Sequence, residues 1–385
     1  MNRQGLWYDL KTGTVEEAQS MKPHFRRPLI VSVVSAAIIG LQRAFRSNWT
    51  VMHGLSRGLV RPIRLFLATL TGKVSFSVAE LLILLFSISL LVWFTVSVVL
   101  LVRRPEKLKR GFSMLLTLLS VFLSIYAGVC VLWGVYYYGE DFEKNTGIAA
   151  REISVDELES VTAYFAELAN DYAGQVNRNE QGLYSGNRLE LLTKTKTLYR
   201  KTEEKIPGLA GPEVSVKPFF FSKLLSLTDF TGFFFPFTGE ANVNMDFPPA
   251  LFPATAAHEL AHQRGVAKEQ EANFCAVLAS LESGDPDYCY SASLLAYTYL
   301  GNALSNADHE RWERIYNGLD ERIKADFAAD REYWKQYETL ARSVSNTVYE
   351  GFLYSYDQTL GLKSYGACVD LLVSYYLEDA LSRTE

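Results

Sequence analysis

His258-Glu259-Leu260-Ala261-His262, preceded by Pro253-Ala254-Thr255-Ala256-Ala257 and followed by Gln263-Arg264-Gly265, is the stretch that decides what kind of fold follows. Pro253 suits the opening of a helix and Gly265 suits the residue just beyond its end, so the motif is expected on a short helix that stops soon after the second histidine. Residues four apart share one face of a helix. The two imidazoles then point the same way, as the first two ligands of a tetrahedral Zn²⁺ must. Glu259 leans toward the same space, where a carboxylate can take a proton from water acidified by the ion and pass it to a leaving amine.

The third ligand must come from the following residues or a later helix. A His-Glu-x-x-His-x-x-Gly-x-x-His arrangement is excluded because Lys268 stands at its last position. A second helix opens past Gly265, from Ala267 to about Ser283, with Phe274, Val277, Leu278 and Leu281 as its apolar stripe. Glu271 falls roughly 70° from the centre of that stripe and Glu269 roughly 130°. Glu271 is therefore expected to face inward as the third metal ligand, with Glu269, a helix-start carboxylate facing water, as the alternative. His309 lies in the polar segment Asn306-Ala307-Asp308-His309-Glu310-Arg311 and reads as exposed.

Three apolar runs precede this region. They cover about 28–45, 81–102 and 111–138, and the last ends in Tyr136-Tyr137-Tyr138, aromatic residues of the kind found at a headgroup boundary. The first, behind Lys22, Arg26 and Arg27, also suits a cleaved signal peptide. Arg103, Arg104, Lys107, Lys109 and Arg110 crowd the loop between the second and third runs, so that loop is expected in the cytoplasm. Residues 1–27 then form a cytoplasmic tail, 28–138 a multi-pass membrane region and 139–385 an extracytoplasmic domain. The 46–79 loop mixes arginines with Trp49, Met52, Leu55, Leu59, Ile63 and Leu65, and suits either a helix on the membrane surface or one packed on the soluble domain.

Charge divides at the same border. Residues 1–138 carry 16 Lys/Arg against 5 Asp/Glu, and residues 139–385 carry 22 against 38. An acidic soluble part speaks against nucleic acid as a partner and leaves a membrane anchor bearing a domain large enough for its own core.

Within that domain Ser154-Val155-Asp156-Glu157 reads as a capping box opening a helix to about Tyr172, and a second helix is expected from about Arg188 to Lys205. Lys217–Phe237 holds eight phenylalanines, expected mostly in the core. The segment 239–245 alternates as a strand, and a strand just before the motif helix is a natural place to align an extended peptide by main-chain pairing. Helices are expected at about 293–306, 308–337, 339–354 and 365–381. Tyr365 is a candidate to steady an oxyanion, with core packing as the plainer reading. Cys275, Cys289 and Cys368, without Cys-x-x-Cys spacing, indicate neither a disulfide framework nor a cysteine metal site.

Thr238-Gly239-Glu240-Ala241-Asn242-Val243-Asn244, the His258–Gly265 stretch, Glu271-Ala272-Asn273-Phe274 and Ser364-Tyr365-Gly366 together resemble an uncharacterised family of bacterial membrane proteins with a zincin-like outer domain. The resemblance runs over nearly the whole chain. It implies His258, His262 and Glu271 as zinc ligands and Glu259 as base, as in zincins with a glutamate ligand. The expected architecture is mainly α: three transmembrane helices, then a zincin-like α+β domain with a small sheet. The expected function is that of a membrane-anchored zinc metallopeptidase acting on peptide or protein substrates outside the cytoplasm. The alternative is a metal-binding envelope scaffold without turnover.

Overall fold

A computed structural model describes residues 25–358 and 365–384. The described residues divide into two compact units, one holding 25–49 together with Leu81–Val135, the other Thr50–Glu80 together with 136–358 and 365–384.

In the first unit the apolar runs are helical. Three helices, Phe25–Phe45, Val78–Arg103 and Lys107–Gly139, are long and apolar enough to cross a membrane, and they coincide with the three expected runs. Residues 78–80 of the second and 136–139 of the third belong to the other unit. Ser35 and Ser124 join the first helix to the third through their hydroxyls, 3.2 Å apart. Such a contact satisfies polar groups that lipid cannot.

The second unit is a helical body around one three-stranded sheet. Strands β1 (Lys217–Phe219), β2 (Gly232–Phe235) and β3 (Glu240–Asn244) lie in the order β1-β3-β2. The β1–β3 pair is parallel and the β2–β3 pair antiparallel. The core gathers around helices Val155–Ala173, Pro286–Ala307 and Tyr365–Thr384, with Phe165, Tyr288, Leu294 and Leu372 fully enclosed. Ser154 and Glu157 form the expected capping box. The expected 308–337 helix is two, His309–Asn317 and Glu321–Lys335, because Gly318 ends the first and the Asp320 side chain caps the second. None of the four cysteines is in a disulfide, and all four are buried.

Two expectations change here. Residues 50–80 join the unit that contains 136–385, which favours the packed reading of the 46–79 loop. Its helix Arg61–Thr71 turns Arg64 and Ala68 inward and leaves Phe66 and Leu70 exposed. The second change concerns the 239–245 strand, which exists as β3 but is the central strand, paired on both sides and buried throughout. Its backbone groups are spent within the sheet, so it cannot align a substrate by main-chain pairing. The edges of the sheet are β1 and β2.

The Thr238–Asn244 segment has a different task. Glu240 accepts from the backbone N–H groups of Val78 and Ala79, at 3.1 and 2.7 Å, in the first turn of the Val78–Arg103 helix. Asn242 accepts from the Ser77 hydroxyl at 2.6 Å. A buried carboxylate on the open N–H groups of a helix start satisfies donors that would otherwise be orphaned and suits the positive end of the helix dipole. This motif therefore fixes residues 77–79 to the sheet.

Candidate metal centre

The motif helix spans Phe252–Gln263, with proline in its first turn, and Gly265 follows it at φ +96°. A side chain at Gly265 would be strained by that backbone angle and would overlap the Arg64 guanidinium. The reversal lets the next helix, Glu269–Ser283, fold back along the motif helix, so that its first residue returns beside the histidines.

His258, His262 and Glu269 meet there, their ligand atoms all within 4.8 Å of one another. Glu269 Oε2 lies 3.2 Å from His258 Nε2 and 3.6 Å from His262 Nε2. Two ligands each about 2.0–2.1 Å from one tetrahedral ion stand about 3.3–3.4 Å apart, so the spacing fits a shared cation. The two rings are near perpendicular, at 88°. His262 Nδ1 is 2.7 Å from the carbonyl of Val266. A carbonyl only accepts, so Nδ1 carries a proton, and Nε2 is the nitrogen that faces Glu269 and would be free to ligate an ion once it has given up its own proton. Tyr349, on the helix Leu340–Ser355, donates its hydroxyl to Glu269 Oε1 at 2.6 Å and leaves Oε2 toward the histidines.

The charges of these buried groups are coupled to one another. Burial, assisted by the neighbouring His262, lowers the pKa of His258. Burial also opposes charge on His262, but the Glu269 carboxylate outweighs it and pushes His262 up to about 9. Burial likewise opposes the Glu269 anion, yet His262 and His258 hold Glu269 well below the usual carboxylate range. Glu259 is pushed up to about 8, chiefly by burial. Its Oε2, like Nδ1 of His258, is buried without a hydrogen-bond partner among the described residues. A buried carboxylate in that state is costly unless a cation or a bound molecule compensates it.

Glu259 has room only because Gly232 stands opposite. A Cβ at Gly232 would lie 2.6 Å from Glu259 Oε1, 2.7 Å from its Cγ and 2.8 Å from the Asn242 carbonyl oxygen. Gly232 opens β2, so the edge of the sheet and the motif glutamate meet at this point. Gly232→Ala is expected to shift Glu259 and lower any hydrolysis by roughly 10²-fold while leaving metal content unchanged. Turnover and metal analysis on the same preparation check both halves of that expectation.

A family profile described as "Protein of unknown function (DUF3810)" matches residues 55–373. The chain belongs to the DUF3810 family. No curated protein matches it, and no solved structure does. In this DUF3810 chain the matched region takes in the arginine-bearing helix, two of the three apolar helices, the sheet and the whole His258–Glu269 cluster.

The structure brings His258, Glu259 and His262 together, as the motif spacing predicts, and redirects the third acid. Glu271 points away from the histidines and pairs with Lys268 at 2.7 Å. The apolar-stripe argument failed because this helix is enclosed on several faces, with Ala272, Phe274, Cys275, Ala276, Val277 and Leu278 all buried. A stripe then gives no single inward direction. Glu269, as the first helical residue, projects back past the helix start. Tyr349 and Gly232 carry no local signal of their roles. Ser364 lies outside the described residues, and so does the side chain of Tyr365, the candidate oxyanion donor. His309 is exposed as expected and stacks on Trp312.

Proposed function

We propose that this protein is a membrane-anchored zinc metallopeptidase whose ligands are His258, His262 and Glu269. The observation that carries the reading is the convergence of two imidazoles and one carboxylate at metal-ligand spacing, with a second, unpartnered carboxylate beside them. When bound, zinc would polarise a carbonyl oxygen and acidify water. Glu259 would take the proton from that water and return it to the leaving amine. Gly232 keeps the space in which the Glu259 carboxylate moves. Tyr349 fixes the orientation of Glu269, and the Val266 carbonyl fixes the tautomer of His262.

An extended peptide would pair with the edge strand β2, which runs antiparallel to β3 and starts at the motif glutamate. An open apolar groove lined by Phe230, Val344, Val348 and Phe352 also reaches Tyr349 and offers a surface for substrate side chains. The packing of the motif helix on the small mixed sheet supports a zincin-like reading of this domain. The crowded basic loop at 103–110 supports a cytoplasmic face there and an extracytoplasmic metal centre.

The test is elemental analysis of the purified full chain in detergent. About one zinc per chain is expected, with loss of the metal in both His258→Ala and His262→Ala. A wild-type chain that retains no divalent metal after reconstitution would overturn the proposal.

A further inference from the structure

Behind the motif helix lies a narrow recess with about 30 Å³ of free internal volume. Five cationic side chains line it: Arg57, Arg61, Arg64, Arg264 and Lys268. Three of them have carboxylate partners. Arg57 holds Glu140 at 2.9 Å, Arg264 holds Glu203 at 2.8 Å and Lys268 holds Glu271 at 2.7 Å.

Arg61 and Arg64 have none among the described residues. Arg61 reaches only the Ala210 carbonyl, at 3.4 Å. Arg64 is 3% exposed; one terminal nitrogen donates to the Arg264 carbonyl at 3.0 Å, while its Nε and Nη1 are buried without a partner. Burial above all lowers Arg64 to about 10; the neighbouring Arg61 and Arg264 cations add to that, while Tyr136 and the Glu140 carboxylate oppose it, and the Tyr136 ring lies 4.9 Å from the guanidinium. Two adjacent guanidinium groups, one of them enclosed with donors to spare, form a receptor for an anion with several acceptor oxygens.

We propose that Arg61 and Arg64 bind a phosphate-class oxyanion in this recess. The group is either the phosphodiester of a phospholipid or free phosphate. The segment that supplies the arginines favours the lipid source. Leu55, Leu59, Phe66 and Leu70 lie on its exposed side, apolar residues that lipid would cover. Tyr136, also in the lining, belongs to the last turns of the apolar helix Lys107–Gly139. This site is independent of the metal centre and stands if the hydrolase reading fails.

The experiment uses the full chain in two forms. Delipidated protein in non-ionic detergent is titrated with inorganic phosphate by calorimetry. Protein in nanodiscs of phosphatidylcholine, with and without phosphatidylglycerol, is then analysed for retained phospholipid by native mass spectrometry. Binding of phosphate in the first form, or selective retention of phospholipid in the second, is expected, and which arm responds identifies the source. Arg61→Gln, at a half-buried position outside the core, should weaken the response about tenfold. Arg64→Met should weaken it further, but it also removes the donor to the Arg264 carbonyl, so its thermal unfolding is followed in parallel. No binding in either arm by the wild type, or undiminished binding by a folded Arg61→Gln, overturns the proposal.

Discussion

Glu259→Gln is expected to leave the metal in place and to lower peptide hydrolysis by about 10²–10⁴-fold. The reasoning rests on where Glu259 sits. It lies beside the cluster without belonging to it, since the three ligand-type atoms that lie within 4.8 Å of one another come from His258, His262 and Glu269. Glutamine keeps the shape of the side chain, so the close fit against Gly232 and the packing of the motif helix are retained. What it lacks is a basic oxygen. The variant therefore separates cation binding from proton transfer. Full turnover in Glu259→Gln would remove the general base. If neither the wild type nor Glu259→Gln hydrolyses any peptide across a broad library while both hold one zinc, the envelope scaffold becomes the better reading.

The second large effect separates the two candidate acids. Glu269→Ala should weaken metal binding by at least about 100-fold, because in the proposed site it removes a direct ligand, and loss of a residue that merely supports a ligand typically costs 10–100-fold. Glu271→Ala should leave affinity almost unchanged, since that carboxylate is engaged with Lys268 in the neighbouring recess. Competition with a chromophoric chelator reads both variants on one scale. A result in which Glu271→Ala loses the metal and Glu269→Ala keeps it would refute the ligand assignment. The histidines would then need a different arrangement from the one in this structure.

Much of the architecture was legible because its causes are local. The capping box at Ser154–Glu157 needs only two residues three apart, and the apolar helices need only length and the absence of charge. The gap between His258 and His262 is one helical turn, so their shared face follows from backbone geometry alone. Strand β3 showed itself through alternation. Alternation says nothing of neighbours, and both edges of β3 are occupied by strands whose pairing depends on the path of the intervening chain. The role of Glu240 as a cap on residues 78 and 79 joins positions about 160 residues apart, beyond the reach of any local pattern.

The sequence by itself determined a helix bearing two imidazoles and a carboxylate, three apolar helices and a mainly helical acidic domain. Each follows from the period of a single element. Only the tertiary structure decided that Glu269 rather than Glu271 joins the histidines, that Tyr349 braces it, that β3 is central with β1 and β2 at the edges, and that the arginines of residues 57–64 turn inward. Those outcomes depend on how sharply the chain reverses at Gly265 and on which elements pack side by side. Both are properties of the assembled core, where a residue's neighbours come from distant parts of the chain.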